Sequence, residues 1–93
     1  MDVSVRVVSE SERSFSLEVR VHEGKSETTH DVTLAKDQLA RLAPGEAADA
    51  FVHRCFGFLL ERESKESILR RFDVSVIGRY FPEFERTIRR TAP

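Results

Sequence analysis

The hydrophobic period of this chain changes once, near Thr33, and that change constrains the fold more than any other feature. Before it, apolar residues alternate with polar ones. Val3, Val5 and Val7 share one parity, with Ser4 and Arg6 on the other, and Phe15, Leu17, Val19 and Val21 alternate with Ser16, Glu18, Arg20 and His22. A period of two with β-branched content is the pattern of strands with one wet face. Ser9-Glu10-Ser11-Glu12 reads as one turn and Glu23-Gly24-Lys25-Ser26 as a hairpin turn. A weaker third strand places Thr28, His30 and Val32 opposite in parity to Thr29, Asp31 and Thr33. Residues 1–33 therefore predict a three-stranded antiparallel meander.

Beyond Thr33 the spacing is helical. Leu34, Leu39 and Leu42 predict a short helix with Thr33 as N-cap, ended by Ala43-Pro44-Gly45. The strongest helix spans about 46–63. Ala47, Phe51, Cys55, Phe58 and Leu59 form one face, and Val52, Phe56 and Leu60 widen it beyond what contact with a single surface requires. A central helix about 27 Å long follows, touching the sheet on one side and later helices on the other. Gly57 within it reads as a place where another backbone comes close. Ser64 and Asp73 are candidate caps for helices over Lys65–Phe72 and Val74–Tyr80, and Pro82 opens a last one in which Phe84 and Ile88 pack. Thr91-Ala92-Pro93 is expected to fray. The expected fold is α+β, a single domain over 1–93, in which the meander (1–33) precedes a helical part (34–93) of four or five helices.

Charge removes the simplest function classes. Fifteen Lys and Arg against sixteen Asp and Glu leave a net charge of −1. That is no general footprint for nucleic acid or an anionic membrane. No apolar run approaches the roughly 20 residues of a membrane helix. The opening residues Met1-Asp2-Val3-Ser4 show no basic stretch before an apolar one, so a cytoplasmic location is the expectation.

Few residues suggest chemistry. Cys55 lies on the apolar face of the long helix, and His53, two positions away, points elsewhere, so the two cannot form a dyad within it. His22, His30 and His53 lack metal-ligand spacing, and the four glycines are isolated, which leaves phosphate cradles unsupported. Glu61, Glu63 and Glu66 gather near Arg62 and Lys65, as solvated ion pairs do. No catalytic, cofactor-binding or metal residue is assigned. The segment from Glu66 to Tyr80 imitates a helix-turn-helix, with Arg70, Arg71 and Arg79 as phosphate contacts. Its second helix is short and apolar, which counts against reading a major groove.

The blocks Phe58-Leu59-Leu60-Glu61-Arg62-Glu63, Ser67-Ile68-Leu69-Arg70-Arg71-Phe72-Asp73 and Tyr80-Phe81-Pro82-Glu83-Phe84-Glu85 resemble the C-terminal signature of a small, uncharacterised bacterial protein family of about this length. The resemblance covers roughly 51–88. It implies a bacterial source and a short β meander before the helices, and brings no activity, ligand or catalytic residue.

From the residues themselves, the leading expectation is a non-enzymatic protein-interaction module. Its surface is sought at the apolar corner of Tyr80, Phe81 and Phe84, and it pairs as a homodimer through its helices or a strand edge such as Val3–Val7. The alternatives are a nucleic-acid-associated regulator using Arg70, Arg71, Arg79, Arg86, Arg89 and Arg90, and a small-molecule binder or enzyme with a pocket between sheet and main helix near His30.

Overall fold

The computed structural model describes residues 1–90, with Arg90 described by its backbone alone. The expectation for Thr91-Ala92-Pro93 lies outside the described residues. The architecture is α+β: a four-stranded mixed sheet with four helices.

The three N-terminal strands form the expected antiparallel meander: β1 (Asp2–Glu10), β2 (Ser14–Glu23) and β3 (Ser26–Ala35). Val3, Val5 and Val7 of β1 stand opposite Val21, Val19 and Leu17 of β2, so the valine parity of one strand meets that of the next. Gly24 closes the second hairpin at φ 61°, a left-handed conformation that disfavours a side chain. Two boundaries shift. Strand β1 runs through Ser9 and Glu10, where a turn is expected, because a bulge at Val8 absorbs one residue between the Val7–Leu17 and Ser9–Ser16 pairs. Thr33 is a strand residue and caps nothing: α1 (Lys36–Leu42) follows Ala35, and Gly45 turns the chain after it at φ 85°.

The sheet is dry on one face only. Leu17, Val19, Val21, Thr28, His30, Val32 and Leu34 are buried beneath the helices. The other face carries cross-strand ion pairs such as Arg6–Glu18 and Arg20–Glu27. The long helix α2 (Ala48–Leu60) is shorter than expected, about 20 Å. It is central: Phe51, Val52, Cys55, Phe56, Phe58 and Leu59 are all buried, and α2 packs on β1 and on the last helix.

The largest correction lies between 64 and 76. The expected helix over Lys65–Phe72 does not form. Lys65–Ser67 is a single 3-10 turn, and Arg71–Asp73 is a fourth strand, β4, lying parallel to β3 with Val32 opposite Phe72. The Asp31 amide donates to the Arg70 carbonyl at 2.8 Å. Inter-strand pairing outcompetes a helix here because β3 otherwise presents an open row of amides and carbonyls. Asp73 does cap, accepting from the Ser75 amide at 2.9 Å, and heads a 3-10 turn (Val74–Val76) that leads into a one-turn helix, α3 (Ile77–Tyr80).

The last helix, α4 (Phe84–Arg90), buries Phe84 and Ile88 as their spacing predicts. Three arginines fasten it. Arg41 of α1 grips Glu85 with two nitrogens at 2.8 and 3.0 Å. Arg54 of α2 holds Glu46 in a bidentate pair and donates to the Ile88 carbonyl at 2.7 Å. Arg62 stacks 3.6 Å above the Phe58 ring and reaches Glu83, just before α4. A rigid, forked cation suits such bidentate and stacked roles better than an ammonium, so arginine here is structural.

Gly57 does not mark a close approach. It sits on the exposed stripe of α2, and a Cβ built there meets nothing within 4 Å among the described residues. Gly57→Ala should therefore stabilise the protein by about 0.5–1 kcal/mol through helix propensity alone. Urea unfolding checks this: the midpoint should rise with an unchanged denaturant slope.

Candidate functional site

The reversal from helix to strand at 64–73 opens an apolar cleft of about 380 Å³. Its walls are Leu59 from the end of α2, Ile68 and Leu69 before β4, Phe72 of β4, Val76 and Ile77 at the start of α3, and Tyr80 and Phe81 at its end. Leu69 is 48% exposed and Tyr80 67%, so two large side chains stand at the rim in water. Glu63 and Ser67 also line it. Among the described residues the half-buried Glu63 has no side-chain hydrogen bond or ion pair, whereas the Ser67 hydroxyl lies 3.1 Å from that of Ser64.

Three contacts hold this wall in place. The first is His30, fully buried on β3 against the Phe56 ring at 5.3 Å. Its Nδ1 lies 2.8 Å from the Leu69 carbonyl. A carbonyl can only accept, so Nδ1 carries the proton. In the neutral ring, Nε2 then accepts from the Thr28 hydroxyl at 2.9 Å. Burial pulls the imidazole pKa below its ordinary 6.5. Arg70 adds to the depression, and the Leu69 carbonyl and Asp31 oppose it.

The second contact is Lys65. Its side chain is only 3% exposed, and its ammonium bonds Glu66 and lies 3.5 Å from Glu23. The Glu66 bond is the main cause that holds the Lys65 pKa above, and the Glu66 pKa below, their usual values. The Ser26 hydroxyl reaches the same Glu66 oxygen at 3.5 Å, so the 65–67 turn is pinned to the β2–β3 hairpin. The third is aromatic: Phe58 meets Phe81 and Phe84 edge to face at 5.9 and 5.1 Å.

The apolar corner expected from sequence is thus divided. Tyr80 and Phe81 line the cleft, but Phe84 is fully buried in the core and belongs to no surface. The helix-turn-helix arrangement is not built. Its first helix is a turn followed by strand β4, its second is the four-residue α3, and Arg71 faces Asp31 at 3.6 Å. Arg70 and Arg79 are exposed. The space between sheet and α2 near His30 is filled by core side chains, and the cleft lies farther along, at the end of α2. Cys55 is buried and its thiol pKa is pushed up by burial, the opposite of what a nucleophile needs. Among the described residues no group of three or more His, Cys, Asp or Glu is placed to hold a metal, and no helix is long and apolar enough to cross a membrane.

Pattern reading missed Ile68 and Leu69 of the wall, and Lys65, which pins the turn before it. The available signal was the shared parity of Ile68, Phe72 and Val74, which is strand-like, interrupted by Arg70.

Fold and cleft together define the class: an α+β domain with helices on one face of a mixed sheet and an apolar cleft at one end of its central helix. No protein-family model, curated protein or solved structure matches the chain.

The buried imidazole carries a pH prediction. Because its folded pKa lies below 6.5, the contribution of neutral His30 is complete above that value and is lost as pH falls. Urea unfolding should show a lower midpoint at about pH 5 than at about pH 7.5. His30→Gln should be less stable than the parent at neutral pH but should lose less on acidification. Taking the difference between the two proteins cancels the exposed His22 and His53.

Proposed function

We propose that this chain is a non-enzymatic protein-interaction module that receives a bulky apolar side chain of a protein partner in the Leu69–Tyr80–Phe81 cleft. The observation that carries this reading is a preformed apolar recess rimmed by two exposed large hydrophobic residues. Exposed apolar surface around a concavity marks binding sites, because covering it releases the free energy of its hydration. At about 380 Å³ the cleft lies at the small end of ligand pockets, a size suited to one or two anchoring side chains.

The chemistry of the lining supports binding over catalysis. It offers one carboxylate, two hydroxyls and otherwise hydrocarbon or aromatic carbon. A half-buried carboxylate with no partner gains from a cation brought beside it. The partner segment therefore presents Leu, Phe, Trp or Met next to Lys or Arg.

Selection from a displayed peptide library tests this. Enriched peptides should share a bulky apolar residue flanked by a basic one. Binding should weaken at least about tenfold in Leu69→Asp and in Tyr80→Ser, both at exposed positions that leave the core untouched. Glu63→Gln should remove the preference for the basic flank while keeping the apolar anchor. Peptides that bind all three variants equally, or a library with no enrichment, would overturn the reading.

A further inference from the structure

A second surface, separate from the cleft, is the outer edge of β1. Strand order is β1-β2-β3-β4, and among the described residues β1 is hydrogen-bonded along one side only. An edge strand with no cover offers a row of amides and carbonyls for another strand. At the far side of the sheet the edge strand β4 has three residues, whereas β1 has nine. The bulge at Val8 limits the regular part of β1 to Asp2–Val7. Met1, Val7 and Val8 are exposed there.

We infer that β1 pairs antiparallel with β1 of a second copy, about a two-fold axis through Ser4. The residues on this edge are complementary to themselves in that register. Ser4 faces Ser4 of the second copy, Val3 faces Val5, Asp2 faces Arg6, and Met1 faces Val7. Two of the three exposed apolar residues at this edge are thereby set against each other, and each acidic residue meets a basic one. The neighbouring registers lose this match. An axis through Arg6 opposes Arg6 to Arg6 and Asp2 to Glu10, placing like charges face to face. An axis through Val5 sets Asp2 against Val8 and Arg6 against Ser4. A half-step shift turns the valine face of one copy to the charged face of the other.

The geometry of the single chain suits the pairing. Arg6 bonds Glu18 at 3.2 Å with its side chain still 67% exposed, so its guanidinium can bridge Glu18 and Asp2 of the second copy. Val3 and Val5 pack on the core from the helical side of the sheet. The two-fold axis keeps both helical layers on that side, and the apolar face then runs unbroken from one copy into the next. An isologous contact of this kind closes on itself, which leaves no β1 edge to propagate a fibre.

Light scattering after size exclusion should give about twice the 10.7 kDa chain mass. Arg6→Asp should raise the concentration for half-dimerisation at least about tenfold, and Asp2→Arg combined with Arg6→Asp should restore it. Ser4→Cys should form an inter-chain disulfide on mild oxidation, because directly opposed strand residues have the Cα separation a disulfide needs. Cys55 is buried and does not compete. Far-ultraviolet circular dichroism confirms that each variant is folded. A monomer at every concentration overturns the inference. So does a dimer that ignores the charge swap and does not cross-link through Ser4, which places the interface elsewhere. Peptide binding in the cleft is measured independently, so either proposal can fail without the other.

Discussion

The seam between β3 and the segment Leu69–Asp73 is the contact on which the rest of the structure depends. Two carbonyls in succession are claimed there, Leu69 by the His30 ring and Arg70 by the Asp31 amide. Each bond answers the rule that a backbone polar group removed from water must find a partner. Together they draw the chain out straight where its local pattern favours a helix. With β4 in place, Phe72 enters the core beside Phe56, at 6.0 Å between ring centres, and Leu69 is left facing outward at the cleft. The same contact therefore completes the sheet, closes the core and creates the recess.

Charged side chains do the work of fastening, and the packed core does the work of stability. Lys65 and the Arg54–Glu46 pair are the buried or nearly buried cases, and each satisfies its charge with more than one partner. Pairs of this kind add little net free energy, since desolvation offsets attraction, yet leaving one member alone is costly. Their consequence is positional. Lys65 fixes the 65–67 turn against the β2–β3 hairpin, and Arg41, Arg54 and Arg62 fix the entry and course of α4. Arg41, Arg54 and Arg62 therefore act as fasteners, whereas Arg70, Arg71, Arg79, Arg86 and Arg89 are exposed.

Much of the architecture was legible in the residue order, for a physical reason in each case. Val3, Val5 and Val7, and Leu17, Val19 and Val21, show the period of a one-sided strand and form one. Asp73 has the short carboxylate a cap needs and accepts from Ser75. Phe84 and Ile88, four apart, share a helix face and are buried. Cleft residues were legible in part: Tyr80 and Phe81 stand where Pro82 ends the helix, and both line the cleft, Tyr80 exposed and Phe81 half-buried. Leu69 was not, because its place in the wall depends on a bond to His30, 39 positions away.

Local order in the chain thus determined the alternation that makes β1 to β3, the buried faces of α2 and α4 and the left-handed turn at Gly24. Each is a property of neighbours within a few residues, where period, charge and backbone freedom act directly. Tertiary structure alone decided that Arg71–Asp73 is a strand, that Lys65 is buried, that His30 is buried and bonded at both nitrogens, and that Leu69 joins Tyr80 at a recess. Those outcomes turn on which distant backbone groups share a hydrogen bond. That energy is comparable to a few residues of helix propensity and is invisible until the sheet has assembled.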